Sequence, residues 1–230
     1  MDGLQSLSPL KEQGGQISNP KSGEFRFPAR PLWAVALKRT IDLLGAVLGL
    51  LLLLPILVVV SVLVKIEDGG PVIYRRRVVG ANGTFDAFKF RSMRPGAEGM
   101  LVADEALRAA FEENFKLKDD PRITRLGKLL RKYSLDEIPQ LFNVLLGQMS
   151  LVGPRMVTVP ELEKYGEGRH LLLTVKPGLT GYWQVNGRQN VGYSQRIEMD
   201  MYYIRCWSTG LDLRILLRTP QKVWKAEGAV

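Results

Sequence analysis

The chain has 230 residues and a formal net charge of +9, with 46% hydrophobic and 24% charged residues. That length and apolar share fit one good core, or a modest domain with an appendage, and exclude a chain disordered throughout. A lone cysteine, Cys206, and a lone histidine, His170, exclude an intrachain disulfide and a His/Cys zinc site, while the positive balance asks for an anionic partner: nucleic acid, an anionic membrane surface or a phosphorylated substrate.

Residues 1–30 are rich in Gly, Ser, Pro, Gln and Lys without an apolar period, and read as a disordered polar tail rather than a secretory signal. Residues 31–66 form the next unit. From 43 to 64 no residue is charged, which meets the roughly 20-residue requirement for a membrane helix. A single span is the plain reading. Two features favour a re-entrant helix instead. Pro55 interrupts the middle of the run, and basic residues flank both ends: Lys38 and Arg39 before, Lys65 and Arg75 to Arg77 after. Arms of about 12 and 10 residues would each reach about 15–18 Å, enough to embed in one leaflet but not to cross.

Residues 67–230 read as a compact cytosolic catalytic domain, giving an α+β, mainly helical chain with interfacial helices. Here "PVIYRRRVVGANGTFDAFKFRSM" predicts a small β-hairpin turning at "GANG". Residues 95–120 read as a loop and an acidic surface helix, "PRITRLGKLLRKY" as a short basic helix and "SLDEIPQLFNVLLG" as a second helix. "VKPGLTGYWQVNGR" reads as ordered loop, and the last segment as helix with a break near "STG".

The chemistry concentrates in "RKYSLDEIPQL". "S-L-D-E" fits a capping box, with Ser134 as N-cap and Glu137 as its partner, placing Asp136 in the first turn where the helix dipole favours negative charge. Such a motif needs no catalysis. Pro139, however, deletes the hydrogen bond to the Leu135 carbonyl, which a segment built only to start a helix would avoid. Arg131 and its basic neighbours would keep a carboxylate ionised, fit to hold Mg²⁺ or attack phosphorus. In "FKFRSM", Lys89 and Arg91 share a strand face that reads either as solvated cations or as a phosphate clamp. Arg155 and Arg188 each follow a turn, as phosphate-binding arginine forks do. Neither a P-loop nor a dinucleotide fingerprint is present. A helix-turn-helix over "ITRLGKLLRKYSLDEIPQLFNVL" is disfavoured, because it would present Asp136 and Glu137 to DNA phosphates.

The ordered set "KRTIDLLGAVLGLLLLLPIL", "KFRSM", "DPRITRLGKLLRKYSLDEIPQLFNVLLGQMSLVGPR", "KPGLTGYWQVNGR" and "YYIRCWSTGLDLRILLRT" closely resembles the bacterial sugar transferases, small monotopic phosphoglycosyl transferases, from about residue 33 onward. The resemblance implies transfer of a sugar phosphate from a UDP-sugar to undecaprenyl phosphate at the cytoplasmic face of the bacterial inner membrane, with Mg²⁺ and release of UMP. It implies that Asp136 is a nucleophile forming a phosphosugar intermediate, and that Glu137 supports the metal or deprotonates the acceptor. Asp136 and Glu137 are thus the expected metal ligands. Arg131, Lys89, Arg91, Arg155 and Arg188 match substrate-phosphate contacts, with Asp212 and Gln184 as possible additions. The family's membrane helix is re-entrant and broken at proline. Relatives often carry Ser before that proline, where Leu54 stands here, so a hydroxyl to satisfy the bend is missing. The expected partners are the two substrates and the lipid bilayer, with a homodimer left open and nucleic acid not expected. Two other readings remain: a Mg²⁺-dependent hydrolase of nucleotide-sugars or polyprenyl phosphates, and a membrane-tethered nucleic-acid-binding protein.

Overall fold

The computed structural model describes residues 30–114, 117, 119–187 and 191–225. The expected polar tail, up to residue 29, lies outside them. The apolar run forms one long helix, α1 (Leu32–Asp68), of 37 residues, about 55 Å long at 1.5 Å per residue. It ends at Gly69, whose left-handed φ of 72° turns its N–H back onto the Lys65 carbonyl. The helix-break-helix expected at Pro55 is not drawn, since the helical span runs through the proline. Proline withdraws its own N–H from the ladder, but here the turns on either side are held by packing. Leu53 and Leu57, which flank it, both lie against the same core.

One stripe of α1 turns inward along its whole length: Ala34, Asp42, Ala46, Val60 and Val64 are buried. The remaining surface exposes Leu44, Leu48, Leu51, Leu52, Val58, Val59 and Ile66. Gly45 sits where α1 crosses the rest of the chain, and a Cβ there would stand 2.5 Å from Leu151. Both ends of the helix are fastened to one body. Near the start, Lys38 donates to the Val152 carbonyl (2.8 Å), Arg39 to the Val144 carbonyl (2.7 Å), and Asp42 accepts from Ser150 Oγ (2.9 Å) and Leu151 N (2.8 Å). Near the end, Glu67 accepts from Leu126 N (3.2 Å) and Asp68 pairs with Arg91. A straight helix across the ~30 Å hydrocarbon core would put these two sets of contacts on opposite sides of it.

The expected hairpin is present. Strands β1 (Ile73–Gly80) and β2 (Gly83–Phe90) pair antiparallel from Ile73↔Phe90 to Gly80↔Gly83. Helices α2 (Ala97–Ala103) and α3 (Glu105–Asn114) replace the expected loop and single acidic helix. The basic helix α4 (Arg125–Lys132) is capped by Thr124 Oγ1, which accepts from Gly127 N at 2.8 Å. A three-residue 3-10 turn (Leu135–Glu137) leads into α5 (Gln140–Leu145).

Next come β3 (Ser150–Val152), α6 (Val159–Glu163), α7 (Arg169–Leu172), β4 (Gly178–Thr180) and α8 (Tyr182–Asn186). The stretch expected as irregular loop thus contains a strand and a helix, because β4 adds to β3 as a parallel pair. That pairing is short and needs glycine, since a Cβ on Gly178 would lie 2.1 Å from Gly153 N. A spacing rule for strands cannot detect so brief an element. Helices α9 (Tyr193–Arg205) and α10 (Thr209–Trp224) follow, with the expected break, and Ser208 caps α10 through Leu211 N.

The main core joins Ala46 of α1 to Val78, Phe85 and Ala87 of the hairpin, Leu141 and Val144 of α5, Leu151 and Val152 of β3, and Tyr203 and Ile215 of the last two helices. A second cluster, Val60, Val64, Phe90 and Leu130, seats the far end of α1 beside α4. Burying a Val, Leu or Phe contributes about 1.5–3 kcal/mol each, so α1 is part of the fold as well as an apolar surface.

Candidate active site

Asn143 explains why β2 and the 3-10 turn meet. Fully buried on α5, it accepts from Phe88 N (2.9 Å) and donates to the Asp86 carbonyl (2.8 Å) and Gln148 Oε1 (2.7 Å). A buried amide with its hydrogen-bonding capacity so used fixes the strand against the helix. Lys89 at the end of β2 is thereby presented to residues 135–137.

The turn is not the capped helix start expected from "SLDE". Ser134 makes no side-chain cap and has left-handed backbone angles (φ 55°, ψ 23°). Pro139 supplies the reason. It has no N–H for the Leu135 carbonyl, which accepts from Ile138 N instead (3.3 Å) and closes the tighter 3-10 ring. A left-handed serine costs about 1–2 kcal/mol, so strain is stored two residues before Asp136.

Lys89 Nζ lies 2.6 Å from Glu137 Oε1 and 4.0 Å from Asp136 Oδ2. Asp136 is buried, and no described side chain donates a hydrogen bond to it. The two acids divide the charge. Burial opposes ionisation of Glu137, but Lys89, Arg155 and Arg76 together outweigh it and hold the carboxyl at about 2. For Asp136 burial wins over Lys89, with the Glu137 charge adding to it and Arg131 opposing, so its pKa is raised. The expectation that a helix start would keep Asp136 ionised is therefore corrected, because the structure offers no helix start there and places Asp136 out of water.

Arg131 lies beside the acids. Its Nε donates to Ser92 Oγ at 2.9 Å, and burial lowers its pKa against the pull of Asp136 and Asp120. Arg155 follows β3 and stacks on Trp183 with its guanidinium carbon 5.5 Å from the ring centroid. Its backbone N donates to Asp200 Oδ1 (3.4 Å), and Asp200 also accepts from Tyr165 Oη (3.0 Å). Asp200 is fully enclosed, and burial, countered by those two bonds and by Arg155, pushes its pKa up to about 7.

The other sequence candidates are placed elsewhere. Arg91 lies just past the end of β2, pairs with Asp68 and donates to the Val64 carbonyl (3.4 Å), so it fastens the end of α1. Asp212 is held by Lys38 (2.7 Å), Tyr203 Oη (2.7 Å) and Trp207 Nε1 (2.9 Å), a knot joining α1, α9 and α10. Gln184 donates to the Leu179 carbonyl (3.2 Å), and its Oε1 is buried without a partner. Arg188 lies outside the described residues.

Sequence reading missed Arg76, which pairs with Glu161 at 3.0 Å, together with Asn143, Asp200, Trp183 and Arg196. A polar residue inside an apolar helical stretch, as in "LFNVLL" and "EMDMYY", is the one signal that marks Asn143 and Asp200.

Among the described residues no three His, Cys, Asp or Glu side chains gather as a metal cage. The pair instead offers two adjacent carboxylates, one of them with an oxygen engaged by Lys89 and the other with no donor among the described side chains. This fits Mg²⁺, which takes one or two protein carboxylates and completes its shell with phosphate oxygens and water.

Residues 33–226 match the family described as "Bacterial sugar transferase". The chain is 48% identical over 198 residues to a UDP-galactose-lipid carrier transferase of Erwinia amylovora, covering 84% of this chain and 41% of that protein. It is 44% identical over 198 residues to an undecaprenyl-phosphate galactose phosphotransferase of Salmonella typhimurium, covering 84% and 41%. With the exopolysaccharide production protein ExoY of Rhizobium meliloti it shares 43% over 207 residues, covering 87% and 90%. The chain thus spans about two fifths of the length of the first two relatives and nine tenths of the third.

Proposed function

The chain belongs to the bacterial sugar transferase family, and from that premise we propose that it moves a sugar 1-phosphate from a UDP-sugar to undecaprenyl phosphate. The observation that carries this reading is Asp136: a buried carboxylate to which no described side chain donates a hydrogen bond, beside Lys89 and Arg131. In the first step an Asp136 oxygen bonds to the sugar-bearing phosphorus, and the bond from that phosphorus to the bridging oxygen breaks, releasing UMP. In the second, a phosphate oxygen of undecaprenyl phosphate attacks the same phosphorus and returns Asp136 as a carboxylate. Splitting the transfer lets a soluble donor and a membrane acceptor use one site in turn.

Lys89 and Arg131 offset phosphoryl charge in both steps, and Glu137 holds Lys89 in place. Substrate binding brings phosphate and excludes water, so the cations around Asp136 determine when its carboxylate is available. Asp136 and Glu137 would hold Mg²⁺, which would supply further neutralisation of phosphate oxygens.

The attachment is monotopic at the inner membrane, with the apolar face of α1 embedded in the cytoplasmic leaflet and the site at the headgroup level. Support comes from the two ends of α1 resting on one body while its outer face exposes leucine and valine. The natural role of such a transfer is the first membrane step of exopolysaccharide, capsule or O-antigen assembly.

The test uses the purified chain in nanodiscs with Mg²⁺, undecaprenyl phosphate and a panel of UDP-sugars, reading UMP. Transfer predicts a stoichiometric UMP burst without acceptor, covalent sugar phosphate on Asp136, and steady release only when acceptor is added. Steady UMP release at full rate without acceptor would instead establish a hydrolase.

A further inference from the structure

Two arginines share one tryptophan. The guanidinium carbons of Arg155 and Arg196 lie 5.5 Å and 4.9 Å from the Trp183 ring centroid. Neither arginine has an ion-pair partner among the described residues, whereas their neighbours do: Arg76 has Glu161, Lys89 has Glu137 and Arg122 has Asp120. The carboxylates in reach are already engaged. Glu161 serves Arg76 and the Thr158 cap, and Asp200 takes Tyr165 Oη and the Arg155 backbone. Two donors, Arg196 Nε and Trp183 Nε1, are buried without any partner.

Such an arrangement is unfavourable by itself. Burial lowers the pKa of Arg196, and the nearby charge of Arg155 lowers it further. Two like charges and two unmet donors persist at one place when an anion completes them. The indole adds a geometric role. Stacking on its face holds a planar guanidinium through cation–π attraction without consuming an N–H, so the guanidinium N–H groups are not spent on the indole.

We propose that Arg196 and Arg155, laid on Trp183, form a dicationic subsite that binds a phosphate group of the substrates. The proposal rests on the transferase reading above for its ligand class and deepens it by adding Arg196 and Trp183. Because Arg155 helps hold Glu137 in its charged form, the subsite lies within electrostatic reach of the dyad. The same chemistry is offered by the nucleotide and by the lipid acceptor, and binding measurements separate them.

The 230-residue chain in nanodiscs is titrated with UMP against uridine, and with a short-chain polyprenyl phosphate against the corresponding alcohol. Indole fluorescence and calorimetry give Kd. In wild type the phosphorylated member of at least one pair binds more tightly. Arg196→Gln cuts that preference by tenfold or more, and the affected pair identifies the source of the phosphate. Arg196→Lys keeps the charge but loses the fork and falls between, and it carries the test if Arg196→Gln gives no cooperative melt. A phosphate preference unchanged in Arg196→Gln, or in Arg196→Lys when that variant carries the test, overturns the subsite. Phosphate binding that depends on Arg196 in a protein showing no lipid-dependent transfer would keep the subsite and sink the transferase reading.

Discussion

Asp136 and Asp212 are equally buried, at 6% and 4% exposure, yet they are opposites in partnership. Asp212 takes bonds from Lys38, Tyr203 and Trp207, three elements closing on one carboxylate. Asp136 has a lysine 4.0 Å away and no donor from a described side chain. Burial therefore does not separate a structural acid from a reactive one; the filling of its lone pairs does. A satisfied buried carboxylate stabilises the fold, and an unsatisfied one is a cost that function must account for.

The strongest way to break this comparison is Asp136→Asn. Transfer should fall by at least about a thousandfold, as expected when a covalent nucleophile is removed. The melting temperature should stay level or rise, because burial already disfavours the charge that the amide removes. Near-normal turnover would sink the nucleophile assignment, and a large loss of stability would sink the contrast with Asp212. The next largest effect is Asp212→Ala, which leaves Lys38 without its counter-charge and Tyr203 and Trp207 without an acceptor. Denaturant titration should show a loss of about 3 kcal/mol or more. Activity per folded molecule should change much less than in Asp136→Asn.

These two acids also mark what the sequence disclosed and what it withheld. The apolar helical run (though not its continuity through Pro55), the hairpin and the break before α10 were legible, because each rests on a local pattern: uncharged length, a Gly-bounded turn, a Ser-Thr-Gly interruption. The Asp136–Glu137 pair was legible as a candidate site through its basic neighbours, and the structure sets Lys89 beside both acids. The Lys38–Asp212 pair was not, since its partners are 174 residues apart and no local rule connects them. Arg91 was misplaced for a similar reason. The strand ends one residue before it, and the presence of Asp68 at the end of α1 depends on how that helix lies across the domain. Sequence spacing also could not show that Asn143 would hold β2 or that Arg196 would meet Arg155 over Trp183.

Changing pH sharpens the comparison by treating buried acids as opposing titrations. Glu137 falls from an ordinary 4.5 to about 2, so its contribution to stability is complete above 4.5 and is lost as pH drops toward 2. Asp200 rises from 3.8 to about 7, so its contribution is complete below 3.8 and is lost as pH climbs toward 7. At about 1.4 kcal/mol per pKa unit, these amount at most to about 3 kcal/mol for Glu137 and about 4 kcal/mol for Asp200. Between pH 4.5 and 7 the wild-type melting temperature should therefore decline through Asp200. Asp200→Asn should flatten that slope; a slope unchanged in the variant would remove Asp200 as its source.

The smallest expected effect tests the backbone under the reactive acid. Ser134 holds a left-handed conformation and its hydroxyl caps nothing, whereas Asp212 sits in the regular first turn of α10. If Ser134 were a true N-cap, Ser134→Ala would cost about 1 kcal/mol. With no cap to lose, that variant should shift unfolding by less than about 0.5 kcal/mol. Ser134→Gly relieves the left-handed strain of about 1–2 kcal/mol but adds chain entropy to the unfolded state, worth about 0.5–1 kcal/mol. The net should be a gain between zero and about 1.5 kcal/mol. The same freedom loosens the turn that aims Asp136, so the UMP burst should slow even as stability rises. A glycine variant less stable than the alanine one would mean that the strain is not there, and that the turn is held open by something other than its backbone.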